Sequence, residues 1–363
     1  MINYIDFEIA PIDETTEAIM DLFEKWIFKE EAKESYIIEL ENQLSGFLDE
    51  DLSENLYCLI EYPYVDKLYR DSFYNYFSSK HYTYKRDTIR VSIFKKEITP
   101  NMFFNNTQHE ILQNLYLGNF IVRPLKSSIF GRSHINPIAL NKKSEICSFE
   151  ATSMVLGIKL TSKGFPHCSQ DSETISCAET TIWSLMEYFG NRYAEYKPTL
   201  PSKIISTLKS LSFQRQLPSN GLTINQISYA LREFGFGTRI YAREFYQKDF
   251  DNITYHYIES GIPVVLGLET DNLGHATIAV GRNILRKSIS SKTQRETINI
   301  DGNEINFIDF AETIDKLIVQ DDNLSPYSEL SINNIGNLYE EDSEEKDYQV
   351  KFLIVPLYPK IYL

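Results

Sequence analysis

Residues 262–268 read IPVVLGL, an almost unbroken apolar run. A strand of this composition has no polar face to offer to water, so the sheet that contains it must be covered on both sides. The loop 269–274 leads from it into His275-Ala276-Thr277-Ile278-Ala279-Val280-Gly281, which reads as a second strand of the same sheet. Leu317-Ile318-Val319-Gln320 reads as a third strand and is followed at once by Asp321-Asp322-Asn323. The short connection between the first two strands predicts antiparallel neighbours.

The cover for such a sheet is encoded upstream. In QDSETISCAETTIWSLMEYFG (170–190), Ser176 and Glu179 form a Ser-x-x-Glu capping box, so a helix is predicted to begin at Cys177. Ala178, Ile182, Leu185, Met186 and Phe189 recur at helical spacing and mark a face turned to the core, and Gly190 is the expected stop. Free amides and the helix dipole favour an anion at a helix start, so a thiol placed there is suited to react as thiolate. Further on, Thr223 and Gln226 form a second capping box after Gly221-Leu222, opening a helix to Phe234 that Gly235 ends. Pro201 to Leu211 and Asp251 to Ser260 read as helices and Phe236 to Ala242 as a strand, while the polar stretch 283–307 reads as an exposed hairpin insertion.

The first part of the chain is organised differently. Tyr4 to Ile9, Leu56 to Ile60, Thr88 to Phe94, Tyr116 to Val122, Glu145 to Glu150 and Met154 to Leu160 read as strands. Thr15 to Phe47 is an interrupted helical region and Val65 to Phe77 an aromatic helix. Ile89, Val91 and Ile93 fall on one face of their strand. This gives an α/β domain over residues 1–160, followed by an α+β domain over 161–363. The apolar run Phe352 to Tyr358 has no assigned place in either.

A formal charge of -15 argues against nucleic acid and against an anionic membrane surface as partners. Part of it lies in the run Glu340 to Glu345, expected to be a solvated loop. The segment Lys80 to Arg86 mixes basic and aromatic residues, but a single short loop in an acidic chain does not build a strand-binding groove. Acidic residues near Met1 and the lack of an apolar span predict a cytoplasmic protein without membrane segments. The 4 cysteines (58, 147, 168 and 177) have neither paired nor metal-type spacing, so no disulfide, metal or cofactor is expected. His167 and Cys168 are read as loop residues, and Cys58 and Cys147 as buried strand cysteines.

Three reactive groups now have addresses: Cys177 at a helix start, His275 at a strand start, and Asp321 after a strand end. Thiol catalysis needs such a set, because imidazole takes the thiol proton, returns it to the leaving group, and is itself oriented by an acid or amide. Asp322 and Asn323 are alternatives to Asp321 as the orienting group. Gln170 is a candidate oxyanion donor together with the Cys177 amide.

Over roughly 164–327 the sequence resembles the papain-like cysteine peptidases, and among them the bacteriocin-processing group that cuts after double-glycine leaders. The resemblance rests on Pro166 to Gln170, the Cys177 helix, and Gly221-Leu222-Thr223 through Gly235-Phe236. It continues in Gly261-Ile262-Pro263-Val264-Val265 to Gly274-His275, and in Val319-Gln320-Asp321. It implies a papain-like fold, in which the helix of the nucleophile packs on an antiparallel sheet, with Gln170, Cys177, His275 and Asp321 as the functional set. Where that family follows its cysteine with Gly-Pro, this chain has Ala178-Glu179. No transporter segments accompany the domain, so a bacteriocin-export role does not carry over. The expected activity is a bacterial cysteine peptidase acting on a protein or peptide substrate. A transamidase or acyltransferase using the same thiol, and an inactive papain-like binding module, are the alternatives.

Overall fold

The computed structural model describes residues 6–27, 34–81, 84–125, 129–171, 176–209, 222–247, 249–269, 274–283, 296–307, 309, 311, 314–332 and 349–358. Gly221, residues 284–295 of the insertion at 283–307, the acidic run Glu340 to Glu345 and the last five residues lie outside that set. The chain is α+β, and its sheets are antiparallel.

Up to residue 167 the elements are β1 (Asp6–Pro11), α1 (Ile12–Leu22), α2 (Glu34–Ser45), β2 (Tyr57–Tyr64), α3 (Lys67–Asn75), β3 (Thr88–Phe94), α4 (Pro100–Phe104), α5 (His109–Leu115), β4 (Tyr116–Val122), β5 (Ser133–Ile135), β6 (Ser144–Ile146), β7 (Phe149–Val155) and β8 (Ile158–His167). All these strands but β6 join one sheet in the order β1-β2-β3-β4-β5-β8-β7. β3 matches its expected span, yet every residue of it is buried, not only Ile89, Val91 and Ile93. The physical reason is that both faces are covered. On one side Ile60, Val91 and Phe120 pack with Ile19 of α1 and Leu40 of α2, while on the other Leu59 and Phe94 pack with Phe103 of α4 and Leu112 of α5. The polar residue Arg90 is accommodated there by a two-pronged bond to Glu61, at 2.6 and 2.8 Å. The strand expected over Met154 to Leu160 is interrupted. Leu156 and Gly157 adopt positive φ (43° and 86°) and turn the chain from β7 into β8.

The second part contains α6 (Cys177–Arg192), α7 (Pro201–Lys209), α8 (Ile224–Glu233), β9 (Gly237–Ala242), α9 (Arg243–Tyr246), α10 (Asp249–Glu259), β10 (Val264–Glu269), β11 (Gly274–Asn283), β12 (Glu296–Ile300), β13 (Asn303–Phe307), β14 (Leu317–Gln320), β15 (Ser328–Leu330) and β16 (Gln349–Leu357). Its sheet runs β15-β14-β11-β10-β16-β9, so the apolar run near the chain end is an inner strand between β10 and β9. β12 and β13 form an exposed two-stranded hairpin apart from this sheet. The double cover that residues 262–268 demand is present. Val265, Ala276 and Ile278 face the core of α6, whereas Leu266, Leu268 and Val319 pack with Phe250, Tyr255 and Ile258 of α10.

α6 is the element that the two sheets share. It packs on β11 from one side and on β7 and β8 from the other, and residues 178–189 are all buried, including its threonines and Glu187. Thr181 donates to the Ala276 carbonyl at 3.3 Å, and Glu187 binds Lys67 of α3 at 2.9 Å. Gly190 is not the stop, since the helix runs on to Arg192. Its role is steric: a Cβ at Gly190 would lie 2.4 Å from the Pro198 nitrogen. Residue 160, the expected division of the chain, falls within β8, and β6 crosses to pair with β11 of the second sheet. No helix among the described residues is long and apolar enough to cross a membrane.

Candidate active site

The capping box at the start of α6 forms as the sequence predicts. Glu179 accepts from the Ser176 amide at 3.1 Å and from the Ser176 hydroxyl, and it is fully buried. This fixes the first turn and leaves Cys177 half-buried at its edge, whereas Cys58, Cys147 and Cys168 are buried. Burial pushes each of those three thiols up to about 12.

His275 and Asp321 are brought together by strand register. β11 and β14 are antiparallel with Ile278 opposite Gln320, so the chain leaving β14 runs alongside the beginning of β11. Thr277 ties the corner by donating to the Gln320 carbonyl at 3.0 Å. As a result His275 Nε2 lies 2.8 Å from Asp321 Oδ2, and Asp321 has no exposed surface. Cys177 lines the same cleft as this imidazole. Burial by itself would lower the basicity of the ring. The charge and hydrogen bond of Asp321, helped by Cys177 and by the charge of Asp322, raise it well above its ordinary 6.5.

The three candidate orienting groups have separate places. Asp321 is at hydrogen-bond distance from the ring, while Asp322 Oδ1 stands 3.8 Å from the same nitrogen. Asn323 turns its side chain to Gln170 and uses its backbone amide to bind Asp321 Oδ1 at 3.0 Å. Neither carboxylate oxygen of Asp322 has a hydrogen-bond partner among the described residues. Burial pushes this carboxyl up to about 8, against the pull of His275 and with the repulsion of Asp321. His275, Asp321 and Asp322 are also the described side chains that could grip a divalent cation, their donor atoms lying within 4.8 Å of one another.

Gln170 donates its side-chain amide to Asn323 Oδ1 and its backbone amide to the Asp322 carbonyl at 3.1 Å. The amide nitrogen expected to serve an oxyanion is thus engaged beside the Asp321 loop. His167 is not a loop residue, since β8 extends through it and it pairs with Ser133, whereas Cys168 follows the strand in a loop as expected; both side chains are buried. Burial lowers His167 to about 4, so it is neutral at physiological pH.

Cys177 and His275 open on a cleft of about 460 Å³. Its lining also includes Thr223, Asn225, Ile227, Val265, Gly267, Leu268 and Ile354. His275 is the only titratable group besides the thiol among these lining residues, and the wall mixes apolar side chains with the polar Thr223 and Asn225. Sequence patterns single out Cys177 and His275 but not Ile354, whose place in the wall depends on β16 entering the sheet. Compared with known proteins, the chain matches no family model and no curated protein sequence.

Proposed function

We propose that the chain is a papain-like cysteine peptidase that cleaves a peptide or isopeptide bond, using Cys177 as nucleophile, His275 as base and acid, and Asp321 as the orienting carboxylate. The observation that carries this reading is the imidazole of His275, which lies 2.8 Å from Asp321 Oδ2 and lines one cleft with the Cys177 thiol. With its basicity raised by Asp321, the ring is suited to take the thiol proton. The sulfur then attacks the carbonyl carbon, and the imidazolium gives its proton to the departing amine as the C–N bond breaks. Water, deprotonated by the now neutral ring, hydrolyses the thioester and regenerates the thiol.

Ile227, Val265, Leu268 and Ile354 in the cleft beside the sulfur suit a substrate with an uncharged, apolar side chain near the cleaved bond. Incubating wild type, Cys177→Ala and His275→Ala with a peptide library, with products read by mass spectrometry, tests the proposal. Fragments from wild type alone, enriched in apolar residues beside the cut, support it. Fragments formed equally by all three proteins refute it, and products carrying an added amine would identify acyl transfer in place of hydrolysis.

A further inference from the structure

The peptide preceding Cys177 is held from the first sheet. Arg123, which follows β4, is 3% exposed, and its Nη2 donates to the carbonyl oxygens of Ser169 at 3.0 Å and Gln170 at 3.3 Å. Its Nη1 lies 3.8 Å from Cys168 Sγ. Gln170 passes the constraint on, with its backbone amide on the Asp322 carbonyl at 3.1 Å and its side-chain amide on Asn323. The Asn323 backbone amide holds Asp321 Oδ1 at 3.0 Å, which leaves Oδ2 to meet His275 at 2.8 Å. An unbroken run of hydrogen bonds therefore leads from a guanidinium of the first sheet to the imidazole of the second part.

We infer that Arg123 is a positioning residue of the Cys177–His275–Asp321 site, acting through Gln170 and Asn323 to set the Asp321 carboxylate against His275. The inference rests on the peptidase reading, and it gives the first part of the chain a role in the chemistry. A carboxylate with one oxygen pinned by a backbone amide cannot rotate freely, so its second oxygen keeps one direction. Arginine suits the origin of such a run, because its planar fork offers several donors in fixed geometry and meets two successive carbonyls at once. In this arrangement Gln170 is a strut between Arg123 and Asn323.

A buried arginine that only clips two parts of a protein together would change stability and leave the pH response of Cys177 untouched. The test is therefore the rate of Cys177 alkylation by iodoacetamide against pH, measured on the full chain for wild type, Arg123→Lys, Arg123→Met, Asn323→Ala and the double variant Arg123→Met/Asn323→Ala. Arg123→Met and Asn323→Ala are each expected to slow labelling about tenfold near pH 6, the equivalent of about one pK unit, with wild-type rates restored near pH 9. Arg123→Lys falls between. The double variant loses no more than either single variant, because both interrupt the same run. Folded variants with the wild-type pH profile, or losses that multiply in the double variant, overturn the inference. Should Arg123→Met not fold, Asn323→Ala and Arg123→Lys, alone and combined, carry the same comparison. A wild-type protein with no labelling near pH 6 would instead overturn the peptidase reading itself.

Discussion

His275 Nε2 and Asp321 Oδ2 lie 2.8 Å apart although 46 residues separate them in the chain, and the carboxylate is wholly shielded from water. Their approach is a product of register: with Ile278 opposite Gln320, the chain leaving β14 runs past the beginning of β11, where His275 lies. Because Asp321 fixes which ring nitrogen carries the proton, Asp321→Asn is expected to cut kcat/KM by about 10²- to 10⁴-fold while the fold is retained. Kinetics on any substrate found by the library screen, with circular dichroism as the fold control, measures this. A loss below about threefold would remove Asp321 from the mechanism.

The cysteines differ in access as well as in chemistry. Cys58, Cys147 and Cys168 are buried and held near 12, whereas Cys177 opens on the cleft beside an imidazole. Brief treatment of the native protein with iodoacetamide near neutral pH should modify Cys177 alone, as peptide mapping would reveal. Comparable labelling of all four would contradict the arrangement.

Asp322 gives the protein a pH-dependent stability of definite sign. Folded, its carboxyl keeps its proton up to about 8, whereas its ordinary value is 3.8, so folding takes up a proton throughout that interval. Stability contributed in this way is complete below 3.8 and is lost as pH rises through about 8. His275, raised above 6.5, adds a loss of the same sign at the upper end. Asp322→Asn takes up no proton, and its Tm should fall less steeply than that of wild type between 3.8 and about 8. Parallel Tm curves for the two proteins would mean that Asp322 is ionised in the folded state.

What the sequence makes legible here is what local chemistry decides. The start of α6 at Cys177, the two capping boxes and the span of β14 need only neighbours in the chain, and each is found where the pattern puts it. The three core strands share one sheet because their apolar runs leave no other stable place. Partners chosen across the fold are not legible. Phe352 to Tyr358 is as apolar as any core strand, yet only the assembled sheet shows it between β10 and β9. Asp321, Asp322 and Asn323 are adjacent and chemically alike, and the turn after β14 alone decides which one meets His275. Arg123 stands 46 residues before Ser169, in a strand context that carries no functional signal.

Gly190 is a second case in which type was legible and purpose was not. It sits inside α6 against Pro198 and Lys197, where a Cβ would be 2.4 and 2.6 Å from backbone atoms. Gly190→Ala should therefore destabilise the protein by about 1–3 kcal/mol through overpacking, despite the better helix propensity of alanine. Denaturant melts would register this, and a stabilised variant would show that residues 197–198 yield without cost.

The central claim is that His275 governs the reactivity of Cys177, and it can be tested without knowledge of the substrate. The measurement is the iodoacetamide alkylation rate of Cys177 in wild type and His275→Ala from about pH 5 to 9, a range that brackets the ordinary thiol value of about 8.5. Wild type is predicted to label readily near pH 6, with a shallow dependence set by the imidazole. His275→Ala should lose about tenfold for each pH unit below the thiol value, as an unassisted thiol does. Superimposable profiles for the two proteins would contradict the claim and leave Cys177 and His275 as neighbours without a shared proton.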